Sequence, residues 1–92
     1  MRYAWDPAKD ALNRRKHGLS LKDGIPALED PQRDCWIDNR LDYGEERMVT
    51  LGIGARRVLY VVTTEREVDC IRIISVRNAV KDEIERYGMG RS

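Results

Sequence analysis

Between Arg33 and Val76 the chain is a succession of period-two runs whose connections are too short to hold a crossover. Arg33–Asp38 sets Cys35 and Ile37 against Asp34, Trp36 and Asp38. Glu46–Gly52 places Arg47, Val49 and Leu51 on a shared side, Arg57–Thr64 is the most apolar run, and Val68–Val76 closes the series. Gly52-Ile53-Gly54-Ala55 and Glu65-Arg66-Glu67 read as tight turns, and Asn39–Gly44 as a polar loop. A parallel pair needs a crossover of a dozen or more residues. These four strands must therefore pair as an antiparallel meander, with Arg57–Thr64 central.

The flanks are helical. Arg2–Trp5 is a short strand ended by Trp5-Asp6-Pro7, where Asp6 can accept hydrogen bonds from the next turn and Pro7 suits the first helical position. The spacing predicts a helix over Pro7–His17 with Ala8, Ala11, Leu12 and Arg15 along one side. Its end, Asn13 to His17, is made strongly basic by Arg14, Lys16 and His17, which complements the negative end of the helix dipole, and Gly18 closes it. Ser20-Leu21-Lys22-Asp23 resembles a capping arrangement, but Gly24 and Pro26 follow at once. The second helix is therefore short, irregular or restarted at Pro26. Asn78–Tyr87 takes up a helical period, with Val80, Ile84 and Tyr87 as one buried stripe, and residues 88–92 form a tail. The order β-α-α-β-β-β-β-α makes an α+β fold in a single domain over residues 1–87. Its helices cover much of one sheet face, leaving the other partly open for Arg47 and Arg72 to share.

Composition narrows the class. Ninety-two residues suffice for one core that buries roughly 60–65% of the unfolded surface. Hydrophobic content of 41% beside 36% charged residues describes a globular chain. No apolar run approaches a membrane span and the N-terminus lacks the apolar stretch of a signal peptide, so the expected compartment is the cytoplasm. Cys35 and Cys70 with one histidine cannot build a disulfide framework or a four-ligand zinc site, and both read as ordinary strand residues. The formal net charge of +1 conceals an asymmetry: residues 47–92 hold 9 Lys/Arg against 6 Asp/Glu, and residues 1–46 hold 8 against 10. Thirteen of the seventeen basic residues are Arg, the better bidentate phosphate ligand, a bias that GC-rich coding would also produce.

The stretch Ile71-Arg72-Ile73-Ile74-Ser75-Val76-Arg77 places two arginines on an otherwise apolar strand. A guanidinium there costs several kcal/mol unless it reaches water or an anion. Two readings stand side by side. Either the pair holds phosphate, or Arg72 pairs with a carboxylate across the sheet while Arg77 lies along the following helix.

Together with Trp5-Asp6-Pro7-Ala8-Lys9, Asn13-Arg14-Arg15-Lys16-His17-Gly18, Asp30-Pro31 and Glu45-Glu46-Arg47 with Gly52, this stretch resembles the BrnT toxin family over nearly the whole chain. The chain departs from the family pattern in lacking Phe near Leu21 and Leu28 and in its Gly24-Ile25-Pro26 segment. The resemblance implies a RelE-like fold and a type II toxin: a ribonuclease that arrests translation. It also implies a BrnA-like antitoxin of the ribbon-helix-helix type as stable partner, with operator DNA engaged only through that antitoxin.

Cleaving RNA without a metal requires a base for the 2′-hydroxyl proton, an acid for the departing 5′-oxygen and positive charge on the crowded phosphate. With one histidine and no His/Asp/Glu cluster at metal-ligand spacing, a metal-free mechanism without cofactor is the simpler expectation. His17 can act as acid or base, or be a helix C-terminal cap with a raised pKa. Arg47, Arg72 and Arg77 are candidates for transition-state charge stabilisation, with Arg72 the strongest. Lys16 and Arg14 are candidates for holding substrate phosphate, or solvated cations. Glu46 is either a base or an orienting group, and alternation sends it away from Arg47. Tyr87 reads as core more readily than as a base-stacking platform. Two alternatives remain: a catalytically weak module whose antitoxin complex represses DNA, and a small Arg-rich RNA-binding domain without cleavage.

Overall fold

A computed structural model describes residues 1–39 and 44–89. Five strands form one sheet in the order β1-β5-β4-β3-β2. They are β1 (Arg2–Ala4), β2 (Asp34–Ile37), β3 (Met48–Gly54), β4 (Arg57–Glu67) and β5 (Cys70–Asn78). The meander β2 to β5 is antiparallel throughout, and β1 joins β5 in parallel along Cys70–Arg72. The helices are α1 (Pro7–His17), α2 (Ile25–Leu28) and α3 (Lys81–Met89), with a 3₁₀ turn at Leu21–Gly24 leading into α2. Cys35 and Cys70 are free thiols on β2 and β5.

The caps of α1 follow from its ends. The Asp6 carboxylate accepts the Ala8 amide at 2.9 Å, Pro7 occupies the first turn, and left-handed Gly18 (φ 73°) donates to the Arg14 carbonyl. The second helical segment is the short, composite one the glycine and proline require. Ser20 N–H donates to Asp23, and Pro26 stands in the first turn of α2, where no amide is needed.

Each sheet face has its own core. Leu59 and Val61 of β4 and Ile73 and Val76 of β5 are buried against Leu19, Leu21 and Ala27. On the other face Val49, Leu51, Tyr60 and Val62 are buried with Tyr87 of α3. On β5 it is Ile73 that enters the core with Leu21 and Ala27, whereas Ile71 lines a separate concavity with Met48 and Thr63.

Five expectations are corrected. The segment Glu65–Glu67, expected to be a turn, is the end of β4. The chain reverses at Val68 and Asp69, left-handed at Asp69, and β5 starts at Cys70, two residues later than expected, and runs to Asn78. The side of α1 carrying Ala8, Ala11, Leu12 and Arg15 is exposed, Leu12 at 56%, and buried Asn13 seats the helix instead. The expected stripe on α3 reduces to Tyr87, 4% exposed, because Val80 and Ile84 are 58% and 48% exposed. Strand β3 begins two residues later than expected and runs through Gly54, so the hairpin turn falls at Ala55 and Arg56. Gly52 is there for contact: a Cβ on it would collide with the Ala27 carbonyl oxygen of α2. Finally, α3 extends to Met89, two residues into the expected tail, while Gly90–Ser92 and most of the expected polar loop, residues 40–43, lie outside the described residues.

Candidate active site

Helix α1 has no apolar stripe to bury, so a polar clamp holds it. The Asn13 side-chain amide accepts the Val76 N–H at 3.0 Å and donates to the Val76 carbonyl at 2.8 Å, reproducing the hydrogen bonds of a neighbouring strand on β5. It also donates to the Leu19 carbonyl at 2.7 Å, closing the segment after α1 onto the same residue. The Asp10 carboxylate accepts the Leu21 amide at 2.7 Å and reinforces that closure. The C-terminal half of α1 is thereby fixed beside β5.

Strand β5 carries a bulge at this level. Val62 opposes Ser75 and Thr63 opposes Ile73, so Ile74 is an additional residue. The bulge resets the alternation: Ile73 and Val76, three apart, both enter the core under α2, while Ile74 and Ser75 come together on the opposite face. Arg72 opposite Thr64 and Arg77 opposite Tyr60 then share that face, which strict alternation would forbid for residues five apart.

Between α1 and this face lies an open groove of about 590 Å³. Helix α1 lines it with Lys9, Leu12, Asn13, Arg15, Lys16 and His17, β5 adds Ile74 and Ser75, and Arg47 enters from just before β3. The ionisable lining is entirely of groups that carry positive or no charge. Half-buried His17 is pushed below its ordinary pKa of 6.5 by burial first, then by the charges of Lys16 and Arg77. At neutral pH the imidazole is uncharged and able to accept a proton. His17 is the last residue of α1, and the raised pKa that a helix C-terminal cap would give is not what its surroundings impose.

All three candidate arginines stand beside carboxylates: Arg47 lies 3.7 Å from Glu45 while still lining the groove, and the other two are engaged outside it. Arg77 makes a two-pronged ion pair with Glu83, both contacts 2.9 Å, and its guanidinium lies 3.7 Å from the Tyr60 ring centroid. The Glu83 bond is the main cause of its raised pKa. Glu83 also accepts the Val80 amide, tying the arginine to the start of α3. Arg72 lies 3.8 Å from the Asp6 carboxylate at the start of α1 and is not among the groove-lining residues. Arg77 is thus braced against the start of α3, whereas the carboxylate beside Arg72 comes from the N-cap of α1 and not from across the sheet, where Thr64 stands opposite it.

The chain matches the family model described as the ribonuclease toxin, BrnT, of type II toxin-antitoxin systems over residues 5–83. It belongs to the BrnT family. Among solved structures it is similar to the Brucella abortus ribonuclease toxin, BrnT, with a TM-score of 0.64 and 21% identity over 88% of this chain and 99% of that one. At that identity the likeness concerns the fold. No curated protein matches significantly. Membership makes this chain one of a family of ribonuclease toxins whose systems pair toxin with antitoxin.

Of the residues singled out in the sequence, His17, Lys16 and Arg47 are brought together in the groove. Arg14 is exposed, 3.6 Å from Asp10, and outside the lining. Glu46 lines a different concavity with Glu45 and Thr64, and its carbonyl accepts the Thr64 hydroxyl at 2.8 Å. Tyr87 is core and donates its hydroxyl to Asp30. Sequence reasoning missed Lys9, Leu12, Ser75 and above all Asn13 as parts of the site. A helix whose small apolar residues cannot anchor it was the available signal that a polar residue must.

Proposed function

We propose that this protein is a metal-independent endoribonuclease toxin of RelE-like kinship that cleaves RNA and arrests translation in the cytoplasm. The observation that carries this reading is the convergence of an uncharged imidazole, His17, with Lys16 and Arg47 in one cationic groove. In the proposed reaction His17 takes the 2′-hydroxyl proton and the 2′-oxygen attacks phosphorus. The bond to the 5′-oxygen breaks, leaving a cyclic phosphate and a 5′-hydroxyl protonated by solvent at the open groove. Arg47 stabilises the charge that grows on the phosphoryl oxygens, and Lys16 holds the phosphate. Among the described residues no group of three or more His, Cys, Asp or Glu side chains forms a metal-binding set, and the groove lining is without carboxylates, Glu45 standing 3.7 Å from Arg47 outside it. We assign the neutralising partner to the ribbon-helix-helix class, with operator DNA bound through it.

Purified protein should cleave RNA in the presence of EDTA. Arg47→Ala should slow cleavage on the order of 10²–10³-fold while leaving the fold intact. Cleavage abolished by EDTA and restored by a divalent cation would refute the metal-free mechanism, and no RNA loss at all would refute the enzyme. The carboxylates beside Arg47, Arg72 and Arg77 favour a second reading, a weakly catalytic module acting chiefly in an antitoxin–DNA complex. Growth arrest on induction, relieved by Arg47→Ala, separates the two.

A further inference from the structure

The groove holds two side chains that phosphate chemistry does not need. Leu12 is 56% exposed on α1 although Lys9, Arg15 and Lys16 surround it in the lining. Ile74 is carried onto the same groove by the β5 bulge; it packs against the second core yet stays half-buried, and it lines the groove. Ser75 lines the groove with them. Leu12 serves no core: the buried clusters are built from other residues, and Asn13 performs the anchoring of α1.

We propose that Leu12 and Ile74 form an apolar shelf for one unstacked nucleobase of single-stranded RNA, with Ser75 at its edge, so that the groove selects single strands over duplex. The inference rests on the RNA-cleaving reading and adds a substrate class to it. The occupant is identified by two complementary features. Lys9, Arg15, Lys16 and Arg47 suit a polyanion, and a volume of about 590 Å³ lies within the roughly 300–1,000 Å³ of small-molecule pockets. A bare phosphate gains nothing from leucine and isoleucine. In an A-form duplex the base faces are stacked away and only edges, riboses and phosphates are presented, so the shelf has nothing to meet. A splayed base supplies both the apolar face and the flanking charge.

Leu12 is exposed, so Leu12→Gln should leave thermal unfolding unchanged and serve as a clean probe. A short 2′-O-methyl-uridine strand, which lacks the attacking hydroxyl, can be compared with a fully abasic strand of equal length and with a 2′-O-methyl RNA duplex. The wild type should bind the base-bearing single strand about tenfold more tightly than the abasic one, consistent with the apolar area one base would cover. Leu12→Gln should remove most of that difference without altering abasic affinity, whereas Lys16→Ala should weaken both strands in parallel. Equal binding of base-bearing and abasic strands, a preference that survives Leu12→Gln, or duplex binding as tight as single-strand binding overturns the shelf but leaves the RNA reading standing. Binding to none of the three probes overturns the RNA reading itself.

Discussion

His17 is the residue at which fold and proposed chemistry meet, because the groove that exposes it to substrate also sets its proton affinity. Burial is the largest cause of its lowered pKa, with the Lys16 and Arg77 charges adding to it. Lys16→Ala should therefore raise the His17 pKa towards 6.5 without reaching it, since burial remains. Histidine chemical shifts followed against pH measure this directly. If the neutral imidazole is the base, the acid limb of cleavage lies below pH 6.5 in the wild type and moves upwards in Lys16→Ala, even though that variant is slower overall. An unmoved pKa would mean that the two charges do not communicate. The same shift bears on stability. The unfolded chain binds the proton more tightly than the folded one, so stability falls as pH drops from about 6.5 to the folded-state pKa, and His17 has no effect above that window.

Elements were legible to the extent that their signals were local. The ends of α1 are written in Asp6-Pro7 and Gly18, and the meander in four short-linked alternating runs. Where a residue type answers to two physical demands, the reading failed. Gly52 and Gly54 look like turn glycines, yet Gly52 sits within β3 because the Ala27 backbone leaves no room for a Cβ. The actual turn falls on Ala55 and Arg56, both left-handed at φ 52° and 65°, a conformation that Asn-Gly adopts far more easily. The paired replacement Ala55→Asn and Arg56→Gly should stabilise the protein by about 1–2 kcal/mol. The midpoint of thermal unfolding, followed by circular dichroism, should rise by roughly 5–10 °C. A fall in Tm would show that the wild-type turn carries no such strain. The β5 bulge left a trace, the change from two-residue to three-residue spacing after Ile73, but locating it needs the β4 register.

At the scale of the molecule, composition conceals what folding assembles. A net charge of +1 is uninformative, while the chain brings Lys9, Arg15, Lys16 and Arg47 around one groove. Which of the seventeen cations meet depends on Asn13 gripping Val76 across 63 residues, a contact that no local pattern encodes. The matching sequence blocks pointed to His17, Lys16 and Arg47, and could not reveal that Asp6 and Glu83 hold Arg72 and Arg77. If binding is governed by this local field, its salt dependence should follow the groove rather than the net charge. For single strands each neutralised phosphate contributes a slope of about −0.7 in log affinity against log salt, so three engaged phosphates give roughly −2. Lys9→Gln and Arg15→Gln should each make the slope shallower by about 0.7. Arg33→Gln alters net charge by the same amount, but Arg33 is exposed beside Asp30 and outside the groove lining, so it should leave the slope unchanged. Titrations of a non-cleavable strand across a range of salt concentrations read the difference. Equal effects from all three variants would mean that the whole surface, rather than the groove between α1 and β5, attracts the RNA.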